Sequence, residues 1–320
     1  MGRGIMKEQD LIQEIVENME KVIFGKTAEI YDILKGIFAG GHILIEDVPG
    51  VGKTTIIKTL AKILDLSYSR IQFTPDLLPS DITGISIYNQ KLSDFQFRKG
   101  PIFANIILAD EINRTSPKTQ SALLEVMEEN QVSEGINTYK LEEPFIVLAT
   151  QNPIEYEGTF ILPEAQLDRF MMKVRIGYAD KENESKILQI YGNEEPIKKL
   201  KIIGKKEEIV RIQEKVRQVF AAKEVSDYIV SIVNATRENK YITLGASTRA
   251  ALALLKIAKA NAFINYRDYV IPQDVKNNAK AVLCHRITLS SMARAKGLSV
   301  EEIIEEIIDK IPLPKVRSYD

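Results

Sequence analysis

Residues 43–56 read "ILIEDVPGVGKTTI", and this stretch decides how the rest of the chain is understood. Apolar residues give way to a turn with two glycines, and the turn opens a helix. That is the setting of a phosphate-binding loop, written G-x-x-x-x-G-K-[ST]. Gly52, Lys53 and Thr54 fit the pattern, but Asp47 stands where its first glycine belongs. A triphosphate needs main-chain N–H groups converging on it, aided by the positive end of a helix dipole. Gly50 and Gly52 are expected to give that turn its tight geometry, with Pro49, Val51 and Thr55 completing the loop. Lys53 is placed to contact the β- and γ-phosphates and Thr54 to bind Mg²⁺. A carboxylate close to phosphates is electrostatically awkward. Asp47 is therefore expected to point away from them or to pair with a neighbour.

Taken alone, Gly-Lys-Thr also suits an ordinary turn. A second segment decides between the two. In "NIILADE" (105–111) a continuous apolar run ends in Asp110 and Glu111. Such runs suit central strands covered on both faces. Asp110 is placed to hold the Mg²⁺ that Thr54 also binds, and Glu111 to orient or deprotonate a water. An acidic pair also opens helices in many α/β folds. Beside a phosphate loop in the same sheet, the catalytic reading is preferred.

Around these segments, periodicity predicts helices at 10–22, 26–38, 54–64 and 116–131, the last with Ser116 as N-cap and Pro117 in its first turn. Strands are predicted at 42–47, 69–73, 105–111, 145–150 and 170–176. Alternating strands and helices imply a mostly parallel sheet with helices on both faces. After Gly177 nearly every segment is helical: 181–191, 205–221, 225–239, 247–263, 272–289 and 299–310. The expected architecture is an α/β nucleotide-binding core over 1–202, with a hinge at about 178–205. A small all-α domain over 203–320 follows.

The chain has 320 residues, 45% hydrophobic and 27% charged, with net charge −1. This balance gives no global positive field for nucleic acid or acidic lipid. One cysteine, Cys284, cannot form an internal disulfide, and two histidines leave little for a zinc site. No apolar run reaches the roughly 18 residues of a membrane span. The first residues, "MGRGIMKEQD", lack a secretory signal. A cytoplasmic location is expected.

Two longer blocks, "DEINRTSPKTQSALLEVMEE" (110–129) and "LATQNPIEYEGTFILPEAQLDRF" (148–170), resemble the MoxR family of AAA+ ATPases. The resemblance runs from about Val22 to the last helix and departs from the family at Asp47, where many members have glycine. It implies a five-stranded P-loop core, a helical lid, and ATP with Mg²⁺ as ligands. By position, Asn152 matches sensor 1, Arg169 in "LDRF" the arginine finger, and Arg249 in "GASTRA" sensor 2. Ile23, within "VIFG" (22–25), matches the segment that walls the adenine. Residues 85–97 resemble the helix-2 insert and 132–143 the hairpin before sensor 1, loops that face the pore or substrate in related motors. Arg114 is expected near a subunit interface, with no partner assigned.

The resemblance further implies a homo-oligomeric ring, six subunits being usual. Each ATP site would take Arg169 from the adjacent subunit, and in this branch Arg249 can act across the interface too. Family members often work with proteins carrying a von Willebrand A domain and assist cofactor insertion. Chaperone-like remodelling or maturation of a partner protein is thus the preferred function. Two alternatives remain: a nucleic-acid motor such as a helicase or branch-migration subunit, and a nucleotide-gated scaffold that does not hydrolyse. Near-neutral charge counts against the first, and the set Asp110, Glu111 and Asn152 against the second.

Overall fold

The computed structural model describes residues 2–152 and 159–314. The chain opens with α1 (Gly2–Glu20), α2 (Thr27–Phe38), β1 (Ile43–Glu46), α3 (Lys53–Ile63) and β2 (Tyr68–Gln72). A short helix α4 (Pro79–Thr83) leads into a hairpin of β3 (Gly84–Asn89) and β4 (Asp94–Lys99). Next come β5 (Ile106–Asp110), α5 (Pro117–Glu129) and a second hairpin, β6 (Gln131–Glu134) with β7 (Asn137–Lys140). β8 (Ile146–Gln151), α6 (Glu164–Leu167) and β9 (Met172–Val174) complete this part. The remainder holds α7 (Lys181–Tyr191), α8 (Lys206–Gln218), α9 (Lys223–Glu238), β10 (Ile242–Leu244) and α10 (Thr248–Ile264). It ends with α11 (Pro272–Leu283), β11 (Thr288–Leu289), α12 (Ser291–Ala295) and α13 (Val300–Lys310).

Five strands form one parallel sheet in the order β2-β5-β8-β1-β9. The continuous apolar runs have a direct cause, because successive side chains leave a strand on opposite faces. Ile106 and Leu108 of β5, with Ile146 and Leu148 of β8, enter a core shared with α1, α2, α3 and the C-terminal helices. Ile107, Ala109, Val147 and Ala149 enter a second core, filled from α5 by Leu123, Leu124, Val126 and Met127. Both faces are covered, so both sets of positions must be apolar. Ser116 caps α5 as expected, its hydroxyl accepting from the Thr119 N–H.

Three differences from the sequence expectation have physical reasons. β9 is shorter than 170–176, because the Ile176 and Gly177 N–H groups donate to the Asp47 carboxylate instead of extending the ladder. The helix expected over 272–289 stops at Leu283. Arg286 turns inward there, its guanidinium donating to the Val282 carbonyl and to Asp168. The chain beyond it pairs as β11 with β10, an antiparallel ribbon within the otherwise helical C-terminal part. Residues 153–158, inside the second family-like block, lie outside the described residues.

Candidate nucleotide site and a paired-arginine surface

Parallel pairing puts the carboxyl ends of β1, β5 and β8 along one edge of the sheet. The segments leaving those ends carry the candidate residues. After β1, Gly50 and Gly52 have φ of 88° and 85°, the left-handed region that suits glycine. A Cβ on either would meet nothing within 4 Å. The glycines are thus required by backbone angle rather than by protein crowding, and the space above them is open for a ligand. Pro49 is exposed at the turn. Lys53 begins α3 and its Nζ donates to the carbonyls of Asp47 (3.1 Å) and Val48 (3.2 Å). Thr54 follows it, half-buried.

Asp47 faces away from this loop. Its Oδ2 accepts from Ile176 N (2.7 Å) and Gly177 N (2.6 Å), and its Oδ1 from Val48 N (2.8 Å). The carboxylate therefore ties the end of β1 to the chain leaving β9, which resolves the electrostatic difficulty raised by its position.

Beside the loop lies a cavity of about 550 Å³. Gly50, Gly52 and Thr55 border it, and Ile23, Phe24, Val51, Ile187, Leu188 and Tyr191 supply its apolar wall. An apolar slot next to backbone N–H donors suits a base attached to phosphates. The segment containing Ile23, which the resemblance gives as the adenine wall, lines this cavity. α7 supplies part of this wall, which no motif in the sequence marked, and its Tyr191 hydroxyl donates to the Val22 carbonyl (3.1 Å).

Asp110 ends β5. Its Oδ1 accepts from Thr150 Oγ1 (2.7 Å), and its Oδ2 from Arg70 Nε (3.1 Å) and from a terminal nitrogen of the same guanidinium. Glu111 follows with φ 59° and ψ 50°. That conformation costs a non-glycine residue roughly 1–3 kcal/mol and persists where surroundings impose it. The Thr150 hydroxyl, accepting from Glu111 N (2.8 Å), is one such restraint. The Glu111 carboxylate accepts from Gln72 Nε2 (2.7 Å) and Arg114 (3.0 Å). Arg114 therefore has a partner within its own chain. Asn152 is buried just past β8, its carbonyl within 3.5 Å of Asn113 Nδ2. Arg70 and Gln72 were not singled out from the sequence. Their spacing of two on the strand beside β5 is the signal that would have found them.

Thr54 and Asp110 offer hydroxyl and carboxylate oxygens, the hard donors that Mg²⁺ takes together with substrate phosphates. Among the described residues no cluster of three or more His, Cys, Asp or Glu side chains forms a metal cage. A phosphate-bound Mg²⁺ does not need one.

Arg169 and Arg249 come together, but elsewhere. Among the described residues lining the cavity, neither is found. Both pair with one carboxylate, Glu128 on α5: Arg169 at 3.2 Å through Oε2, and Arg249 through Oε1. The two hairpins also meet, Phe97 stacking on Tyr139 with ring centroids 4.2 Å apart. Ile87, Tyr88, Leu92 and Phe95 are exposed on the first hairpin, and Ile136 is fully exposed at the tip of the second. No helix among the described residues is long and apolar enough to cross a membrane.

A strand order with the loop strand between β8 and β9, and acids at the end of β5, defines a P-loop ATPase core with a helical lid. Comparison with known proteins agrees. Residues 42–172 match the model of the ATPase family associated with various cellular activities (AAA), and residues 234–307 match the AAA lid domain. The chain is 48% identical to protein YeaC of Bacillus subtilis over 96% of each chain. It is 40% identical to chaperone MoxR1 of Mycobacterium tuberculosis, over 99% of this chain and 86% of that one. A crystal structure of a candidate ATPase from Cytophaga hutchinsonii superposes with TM-score 0.91 at 47% identity, covering 97% of both chains. The chain belongs to the MoxR family of AAA+ ATPases.

Proposed function

We propose that this chain hydrolyses ATP in a closed homo-oligomeric ring, six subunits being the family expectation, and uses the cycle to remodel or mature a client protein. The observation that carries this reading is the pairing of Arg169 and Arg249 on Glu128, apart from the cavity beside the phosphate loop. Two guanidiniums on one carboxylate leave positive charge to offer to a phosphate group of an adjacent subunit. In this reading each site takes Lys53, Asp110, Glu111 and Asn152 from one chain and both arginines from the next.

Main-chain N–H groups of residues 50–55 hold the phosphates, with Pro49 shaping the turn before them, while Ile23 and the apolar wall take the base. Lys53 leaves the Asp47 and Val48 carbonyls for the β- and γ-phosphates. Thr54 and Asp110 would hold Mg²⁺, which neutralises phosphate charge when bound. Glu111 orients the attacking water and accepts its proton, and the Asn152 amide fixes that water against the γ-phosphate. Arg169 and Arg249 stabilise the charge that builds up in the transition state.

With a division near residue 202 and a hinge at 178–205, nucleotide would shift the C-terminal helices against the core they already pack on. α7 lies in that hinge and lines the cavity, which supports such coupling. The exposed apolar hairpins are the surface offered to a client, a von Willebrand A domain protein being the family expectation.

Phosphate release by purified protein tests the reading. Glu111→Gln is expected to bind ATP but turn over on the order of 100-fold more slowly. Arg169→Ala is expected to bind normally and to lose hydrolysis. Mixing the two restores activity, because an intact loop then meets an intact arginine. A near-normal rate for Glu111→Gln, or no recovery on mixing, would overturn it. Stimulation by single-stranded DNA would favour a nucleic-acid motor instead.

A further inference from the structure

Arg286, in the turn after α11, is only 4% exposed. Its Nε donates to Asp168 Oδ1 (2.7 Å). Its two terminal nitrogens donate to the carbonyls of Asp168 (3.3 Å), Met171 (3.1 Å), Phe170 and Val282. One guanidinium thus binds the backbone on both sides of Arg169. His285 adds a donation from Nε2 to the Phe170 carbonyl (3.1 Å).

The other oxygen of Asp168 extends the link. Its Oδ2 accepts from Ser247 Oγ (3.0 Å), and the same Oγ caps α10 by accepting from Ala250 N (3.1 Å). Arg249 lies two residues beyond Ser247, in the first turn of that helix. The Asp168 carboxylate therefore joins the segment carrying Arg169 to the helix start carrying Arg249. A carboxylate is favourable at a helix N-terminus. Burial pushes the Arg286 pKa down, the hydrogen bond and charge of Asp168 pull it up, and nearby Arg249 opposes the charge again. Arginine stays protonated through such a balance and its planar fork keeps a fixed geometry, which lysine could not replace.

We infer that Asp168 and Arg286 are positioning residues for the paired arginines: they hold Arg169 and Arg249 in the arrangement that completes the neighbouring subunit's ATP site. Neither is among the described residues that line the cavity beside the loop. The inference rests on the shared-site reading above and adds to it which residues set the arginine geometry. Catalytic groups displaced by about 1 Å can lose on the order of 100-fold in rate, so loosening the segment 168–171 should slow hydrolysis without weakening nucleotide binding.

The test is complementation between variants in mixed assemblies of the full chain, read as phosphate release. Arg169→Ala mixed with Glu111→Gln is the reference, and its failure to recover would remove the shared-site reading itself. Given that recovery, Arg286→Gln and the milder Asp168→Asn are each mixed with both partners. Each alone is expected to bind ATP normally and to hydrolyse on the order of 100-fold more slowly. Each should regain activity with Glu111→Gln, which contributes intact arginines, and none with Arg169→Ala, which lacks the finger. Recovery with Arg169→Ala would overturn the inference, since the defect would then lie in the variant's own loop. So would a folded variant that recovers with neither partner, or loss of folding in both variants, which would make the pair a plain element of the fold.

Discussion

Replacing Asp47 by alanine should damage the fold more than it changes phosphate binding. The carboxylate takes three main-chain N–H groups, at 2.7 Å from Ile176, 2.6 Å from Gly177 and 2.8 Å from Val48. A hydrogen bond to a charged group contributes about 1.5–3 kcal/mol, and a buried donor left without a partner costs about 1–3 kcal/mol. Ile176 is buried, so its N–H gains no water when the carboxylate goes. Gly177 and Val48 are half-buried and regain some hydration. Counting about 2 kcal/mol for the first and about 1 kcal/mol for the other two together gives a loss of about 3 kcal/mol. Urea unfolding followed by circular dichroism measures it. Tyr178 and Ala179, next along the chain, line the cavity beside the loop. Nucleotide affinity should therefore fall a few-fold. If Asp47 instead faced the phosphates, its removal would take away a repulsive charge. Asp47→Ala would then bind nucleotide more tightly with unfolding free energy within about 0.5 kcal/mol of the original, a change typical of an uninvolved surface residue. That result would refute the reasoning.

Two further outcomes concern the core and the cavity. His42 is buried, accepts from Val147 N (3.0 Å) through Nδ1 and donates to the Met127 carbonyl (2.9 Å) through Nε2. Burial lowers its pKa from 6.5 to about 4, so the unfolded chain binds the extra proton first as pH falls. Stability present above the unfolded value is therefore lost toward acid, about 2 kcal/mol of it between about pH 7 and about pH 5. His42→Gln should flatten that part of the unfolding curve, and an unchanged slope would exclude His42 as its source. His285, shifted down by burial as well, leaves a residual dependence of the same sign. Leu188 is 76% exposed yet lines the cavity. Leu188→Ser should weaken nucleotide binding about tenfold, or roughly 1.4 kcal/mol, at unchanged stability. Calorimetric titration measures the affinity, and unchanged affinity would move the base out of that slot.

Local chemistry made much of this molecule legible. The turn after β1 is one contiguous stretch, so its glycines, Gly50 and Gly52, and the start of α3 at Lys53 could be read along the chain. The sheet was equally readable, because strands covered on both faces need unbroken apolar runs such as Ile106–Ala109. Contacts between distant segments were not readable in this way. Nothing near Glu128 marks it as the partner of two arginines, and nothing near Arg286 foretells that it would bind the backbone around Arg169. The α11 boundary was misplaced for the same reason: its periodicity continues past Leu283, and only a partner more than a hundred residues away turns Arg286 inward.

The sequence by itself determined the class of fold, the Gly-Lys-Thr turn after β1 and the acids that end β5, because their spacing and periodicity depend only on neighbours along the chain. Tertiary structure alone decided which N–H groups Asp47 binds, what α7 adds to the cavity wall, and that Arg169 and Arg249 share the one carboxylate of Glu128. Those outcomes follow from hydrogen bonds and ion pairs between segments far apart in the chain, whose partners are chosen only once the cores on both faces of the sheet have closed.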